Sequence, residues 1–364
     1  MTRTSKERII SILNKDLGPR SISPRLMSLF LKQLSLLLNS GISLSESLKI
    51  LKSQNIDKKI NKALDIIIKN LNMGNSPYYS FYQAKEYFSP MLLAFIDTGN
   101  ETGKFASILN DLSDFIYEDS KNKSVIKQAM TYPLILLIVT FFVIISIMRF
   151  VMPSFIEIFD RAEVTLPKIT RILIGIYNFL SGNFLLILLF FILLILIIRL
   201  LKTDYKKKVL IDKITYKLFN ITGFARLRME YQLTNLYYIL KVGGIDQIRS
   251  LGIIRDSYKN AYIKETFNDI IFDINKGNSL YFSFTRVGIF SPLFLSMIKI
   301  GEKTGKLDQT LKRSNTYYTN EYMYKMKRIA SLTEPMMVLI MSLLVAFVVF
   351  SVALPMFDSV NIGV

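Results

Sequence analysis

The sequence predicts an all-α protein, two homologous cytoplasmic helical bundles with three transmembrane helices. A repeat, a helical period and three apolar runs predict it. The repeat reads FSPMLLAFIDTGNETGK over 88–104 and FSPLFLSMIKIGEKTGK over 290–306, and at an offset of 202 nine of 17 positions are identical. The register continues without a gap through Thr131-Tyr132-Pro133 against Thr333-Glu334-Pro335, and through Met152-Pro153-Ser154-Phe155 against Leu354-Pro355-Met356-Phe357. Each copy is therefore a polar module that runs into a hydrophobic segment. A duplicated module of this kind suits a symmetric scaffold better than an enzyme, whose site needs one copy.

The modules read as helices. Ile60, Ala63, Leu64, Ile67, Ile68 and Leu71 follow the spacing of an amphipathic helix with one buried face. At an offset of 203 the stripe returns as Ile263, Thr266, Phe267, Ile270, Ile271 and Ile274. Ser23 before Pro24 has the form of an N-cap with proline at the first helical position. That helix closes at Gly41, and Ser43 with Glu46 three residues on has the form of a capping box. Gly243, Gly244 and Asp246 hold the same places in copy two, and Gly74-Asn75-Ser76 matches Gly277-Asn278-Ser279. Four or more short helices per copy are expected, hence two small bundles.

Three apolar runs are long enough to span a bilayer, since a helix rises ~1.5 Å per residue against a hydrocarbon core of about 30 Å. The spans fall at 131–153, at 181–200, where the run from Phe184 to Leu200 borrows residues upstream, and at 333–355. They divide the chain into an N-terminal segment (1–22), a first bundle (23–130), a connector (154–180), a second bundle (201–332) and a tail (356–364). The basic residues before Ile9 lead into no apolar core of signal-peptide length, so no cleaved export signal is expected. Residues 1–130 carry 18 Lys and Arg against 12 Asp and Glu, residues 201–334 carry 23 against 12, and the connector is neutral. The positive-inside rule then places both bundles and the N-terminus in the cytoplasm, and the connector and C-terminus outside.

The net charge of +18 reads as a surface for anionic lipid or an acidic partner, and no nucleic-acid reader motif accompanies it. The chain has no Cys and no His, which excludes disulfides, thiol nucleophiles, Cys/His zinc sites and imidazole bases. Gly99 to Lys104 and Gly301 to Lys306 resemble a phosphate loop, but they have three residues between the glycines where that loop has four, and Phe105 or Leu307 where it has Ser or Thr. They read as tight turns between helices, with both glycines needed for backbone conformation. Asp111, Asp114 and Glu118 read as a solvated helix face rather than a cation site. Tyr317, Tyr318, Tyr322 and Tyr324 read as packing, and Arg149 and Arg199 as side chains that snorkel from span ends. Pro133 and Pro335 mark where spans begin, Pro153 and Pro355 where they end.

Taken together these marks resemble the type II secretion F family, the inner-membrane platform proteins of type IV pili, type II secretion and competence pseudopili. The residues that carry the likeness are Gly41, Gly74 and Gly277, then Pro90, Gly99 and Gly103 with their counterparts Pro292, Gly301, Glu302 and Gly305, and finally Glu334, Pro335 and Pro355. The likeness covers the chain from about Ser23, and it departs at Asn100, where the family often has Glu, and at Tyr132, opposite Glu334. It implies a scaffold that binds a cytoplasmic hexameric assembly ATPase, pilin or pseudopilin subunits and other inner-membrane assembly proteins. Self-association is implied too, with no cofactor and no catalysis of its own. A transporter subunit with the repeats as gates is the alternative, against which the scarcity of polar residues in the spans counts.

Overall fold

The computed structural model describes residues 22–161, 165, 167–201 and 204–361. The expectations for residues 1–21 and for the last three residues lie outside these. Every regular element among the described residues is a helix. Two compact units result, one from residues through Lys121 with Val209–Tyr322, the other from Asn122–Lys208 with Met323–Val364.

The first unit holds both bundles. Copy one comprises α1 (Pro24–Asn39), α2 (Leu44–Ser53), α3 (Lys58–Asn72), α4 (Pro77–Gln83), α5 (Pro90–Thr102) and the start of α6 (Phe105–Ala129). The starts of α1 to α4 are each capped by a side chain that accepts an otherwise orphaned N–H. Ser23 takes that of Leu26, Ser43 that of Glu46, Asp57 those of Lys59 and Ile60, and Ser76 that of Tyr79. The stripe on α3 faces inward, with Ile60, Ala63, Leu64 and Ile67 at most 2% exposed, and Leu31, Leu34, Leu48 and Phe81 are buried too.

Copy two follows the same order. It uses α12 (Phe224–Val242), α13 (Gln247–Ser257), α14 (Ala261–Asn275), α15 (Leu280–Arg286) and α16 (Pro292–Lys303), which correspond to α1–α5, then the start of α17 (Leu307–Asn361). α11 (Tyr205–Phe219) precedes them, and its Asp212 carboxylate accepts the Ala261 N–H at 2.7 Å. The core here is aromatic. Phe284, Phe290 and Phe294 stack edge to face or in parallel with centroids 4.8–5.3 Å apart, and Tyr231 stacks on Tyr322 at 4.5 Å.

The second unit contains the apolar helices. The stretches Phe105–Arg161 and Leu307–Pro355 are long and apolar enough to cross a membrane. The first comprises α6, α7 (Thr131–Ser146), a π-helical turn (Ile147–Val151) and α8 (Met152–Arg161). The middle run lies on a helix of its own. α9 (Lys168–Gly182) ends at Asn183, and α10 (Phe184–Leu201) has 18 residues, about 27 Å at ~1.5 Å each.

Two prolines sit inside a helix, and a third follows a π-helical turn. α17 continues through Pro335 and Pro355, and Pro153 lies at the second position of α8. A proline inside a helix leaves the carbonyl four residues back without its donor. Before Pro153 the chain adopts a π turn, with the Met152 N–H bonded to the Ile147 carbonyl. At Pro355 the remedy comes from another helix. The hydroxyl of fully buried Thr170 on α9 donates to the Ser351 carbonyl at 2.8 Å, four residues before the proline. Met148, Met152 and Leu173 pack beside Phe347 and Val352 in the same unit.

Thr170→Val keeps the shape of this side chain and removes the donor, so it leaves a buried carbonyl unpaired at a cost of about 1–3 kcal/mol. Thermal unfolding of the purified protein should show a lowered Tm for Thr170→Val and a Tm near wild type for Thr170→Ser.

Candidate functional site

The repeated glycines sit at helix corners, and they work in two ways. Gly41, Gly74, Gly103, Gly244, Gly277 and Gly305 all have φ between +66° and +87°, the left-handed conformation in which a Cβ is strained. Gly99 and Gly301 are helical instead, so the expectation that both glycines of each turn serve backbone conformation needs correcting. A Cβ on Gly99 would stand 2.8 Å from Phe105 Cδ2 and 3.1 Å from Phe105 Cα, and one on Gly301 would stand 3.1 Å from Leu307 Cα. The first glycine lets the next helix approach and the second lets the chain reverse. Neither turn follows a strand.

Pro90 and Pro292 occupy first helical positions behind Ser89 and Ser291, whose hydroxyls accept the N–H groups of Leu92 and Phe294. Glu302 accepts the N–H groups of Leu280 and Tyr281 at 2.6 and 2.9 Å and so caps α15. Copy one has Asn100 there, and at the place of Leu280 it has Pro77, which has no N–H to satisfy. One of the two N–H groups that Glu302 serves therefore has no counterpart in copy one. Pro133 and Pro355 are buried, whereas Pro153, Pro335 and Glu334 are exposed.

A polar contact between the two bundles is made by the corner of copy one with the corner of copy two. Arg249 on α13 donates to Asp97 at 2.9 Å and to Glu101, both on α5. Lys104, the lysine of the first glycine turn, donates to the Val242 carbonyl at the end of α12 at 2.8 Å. A cation suits that position, because the carbonyl end of a helix carries partial negative charge. Gly243 makes the approach possible, since a Cβ there would come within 2.9 Å of Ile108 Cδ1. The hydrogen bond from Arg249 holds the Glu101 carboxyl below its usual range. That contribution to stability is present above the ordinary carboxylate pKa and is lost as pH falls.

Beside this contact lies a cleft of about 330 Å³ lined by Asp111, Asp114, Glu118, Tyr231, Asn235 and Thr319 among others. Its carboxylates have local partners. Asp114 pairs with Lys32 at 2.7 Å and Glu118 with Lys121 at 3.4 Å, while burial raises the Asp111 carboxyl. No group of three or more acidic side chains close enough to share an ion occurs among the described residues. A larger concavity of about 740 Å³ in the second unit includes Arg149, Pro153 and the Arg161–Glu157 pair. Tyr318 and Tyr322 are buried, whereas Tyr317 and Tyr324 are exposed.

The sequence did not single out Arg249, Thr170 or Glu230, and it gave Lys104 only as part of a turn. Glu230, 2% exposed, accepts the Ser291 N–H at 2.5 Å and the Ser291 hydroxyl at 3.0 Å, and that hydroxyl meets Tyr318 Oη at 2.9 Å. Aligning the copies would have flagged it, because the same position in copy one is Met27. Burial pushes the Glu230 carboxyl above its usual range, against the Ser291 and Tyr318 hydrogen bonds that favour the anion. An acid raised on folding adds stability below its unfolded pKa and loses it as pH rises through the folded value. Glu230→Gln keeps an acceptor for the Ser291 N–H, so its Tm should exceed wild type at neutral pH and converge with it below about pH 4. Equal pH profiles would contradict the assignment.

Comparison with known proteins places this corner-to-corner pair of modules. Residues 30–153 and 233–355 each match the family described as type II secretion system (T2SS), protein F. Among similar proteins, the type IV pilus assembly protein PilC of Pseudomonas aeruginosa is 23% identical over 94% of this chain and 92% of its own length. The type II secretion system protein F of the same organism is 24% identical over 92% and 83%. A protein transport protein HofC homolog of Escherichia coli is 26% identical over 89% and 81%. With both modules matched in one register, the chain belongs to the type II secretion system protein F family.

Proposed function

We propose that this protein is the inner-membrane platform of a type IV pilus or type II secretion-like machine, and that it couples a cytoplasmic assembly ATPase to the insertion of pilin subunits into a filament. The observation that carries this reading is the doubled family module, whose kept positions are helix corners and caps. Neither copy contains a Cys or His, so the chain offers few groups for chemistry of its own, and in this reading it is not an enzyme. The names of its relatives, pilus assembly protein and secretion system protein, support the assignment.

In this reading three spans cross the membrane at 131–153, 181–200 and 333–355. Both bundles and the N-terminus are cytoplasmic, and the connector at 154–180 and the tail are external. The basic bundles support that orientation. The partners are a hexameric ATPase on the cytoplasmic face, pilin or pseudopilin subunits, other inner-membrane assembly proteins and further copies of this chain. No nucleic acid or cofactor is involved.

Affinity capture of the full chain from solubilised membranes should recover the assembly ATPase. Deletion of the gene should abolish filament assembly or secretion, with restoration by the wild-type gene. Normal filaments and normal secretion in the deletion strain would overturn the assignment.

A further inference from the structure

The contact between the bundles is head to tail, so it uses a front on copy one and a back on copy two. The front consists of α5 and the start of α6, with Asp97, Glu101, Lys104 and Ile108. The back consists of the end of α12 and the start of α13, with Ile239, Val242, Gly243 and Arg249. Because the copies share one fold, each has both faces. The front of copy two and the back of copy one are left over.

The geometry points to a second copy of this chain as the occupant of these leftover faces, docked by a contact that repeats the one inside the chain. Charge carries the argument. Where the internal front has Asp97 and Glu101, the leftover front has Lys299 and Lys303, and where the internal back has Arg249, the leftover back has Glu46. Both sides have reversed sign together, so attraction is kept. Size is exchanged as well. Ile108 packs on Gly243 inside the chain, and their counterparts are the smaller Thr310 and the larger Ser40.

Lys104 is kept as Lys306, and Asn39 stands at the place of Val242, at the end of a helix closed by the same bonds. Ser40, Gly41 and Ile42 donate to Leu36, Leu38 and Leu37, as Gly243, Gly244 and Ile245 donate to Ile239, Lys241 and Leu240.

Burial agrees with an interface that lacks its partner. Ile239 is 3% exposed, and its counterpart Leu36 is 57% exposed. Thr98 is 1% exposed, and its counterpart Ile300 is 57% exposed. Glu46 and Lys303 are exposed, Glu46 paired only loosely with Lys49 at 3.6 Å. Each leftover face thus exposes an apolar side chain with charges nearby in its helix corner, as protein interfaces do. A head-to-tail contact builds a ring where its rotation closes.

This deepens the self-association included in the proposed function, and it is tested on the purified chain alone, so the result does not depend on the ATPase or pilin. The absence of native cysteine gives a clean readout. Full-length Glu46→Cys and Lys303→Cys proteins in detergent, mixed and treated with a short bis-maleimide, should yield a cross-linked dimer joining one of each. Either protein alone should stay largely monomeric on a denaturing gel. Glu46→Lys should weaken self-association, read by mass photometry, about tenfold or more, and adding Lys299→Glu and Lys303→Glu should restore it. No cross-link in the mixture, dimers from one variant alone as in a symmetric contact, or charge reversal without effect on mass would each overturn the proposal.

Discussion

A residue in the left-handed conformation at the end of a helix is the constraint on which the rest of this protein depends. Gly41, Gly74 and Gly103 close α1, α3 and α5 of one bundle, and Gly244, Gly277 and Gly305 close the corresponding helices of the other. Each lies just before the next helix, so the directions of α2, α4 and α6, and of α13, α15 and α17, depend on it. A side chain at these six places would meet open space or only the tip of Lys104, so the demand comes from the backbone and not from crowding. Gly99, Gly243 and Gly301 answer a different demand, the close approach of a neighbouring helix.

Within that shared frame the copies have diverged in pairs. Glu302 caps the N–H groups of Leu280 and Tyr281 in copy two, while copy one has Asn100 at that place and Pro77, without an N–H, at the place of Leu280. Glu230 holds Ser291 from inside the second core, where the first core has Met27. The internal contact between bundles sets acids against Arg249, and the leftover faces carry the opposite signs. Duplication supplied two modules of one shape, and paired substitution gave each face its own partner. A platform that holds several components in fixed relation needs this kind of difference more than it needs reactive groups.

Much of the fold was legible because it is written locally. The stripe from Ile60 to Ile67, the caps at Ser23 and Ser43 and the glycine corners depend on residues within one or two helical turns. How the helix carries Pro355 was not legible, because its cost is met from far away. The donor that replaces the missing N–H of Pro355 is Thr170, 181 residues from Ser351, and no local pattern announces it. The break at Asn183 was hidden because apolar residues lie on both sides of it. The contact between bundles was invisible in either copy alone. Only the difference between equivalent residues, such as Arg249 and Glu46, carries its signature.

The central claim is that front meets back between the two copies through Arg249, Asp97 and Glu101. The most direct test is a charge-reversal cycle in the full chain, with Arg249→Glu, then Asp97→Lys with Glu101→Lys, then all three, read by amide hydrogen exchange over α5 and α13. Either reversal alone should raise exchange in both helices, and the combination should return it toward wild type. Additive effects with no recovery, or reversal on one helix without response in the other, would contradict the account.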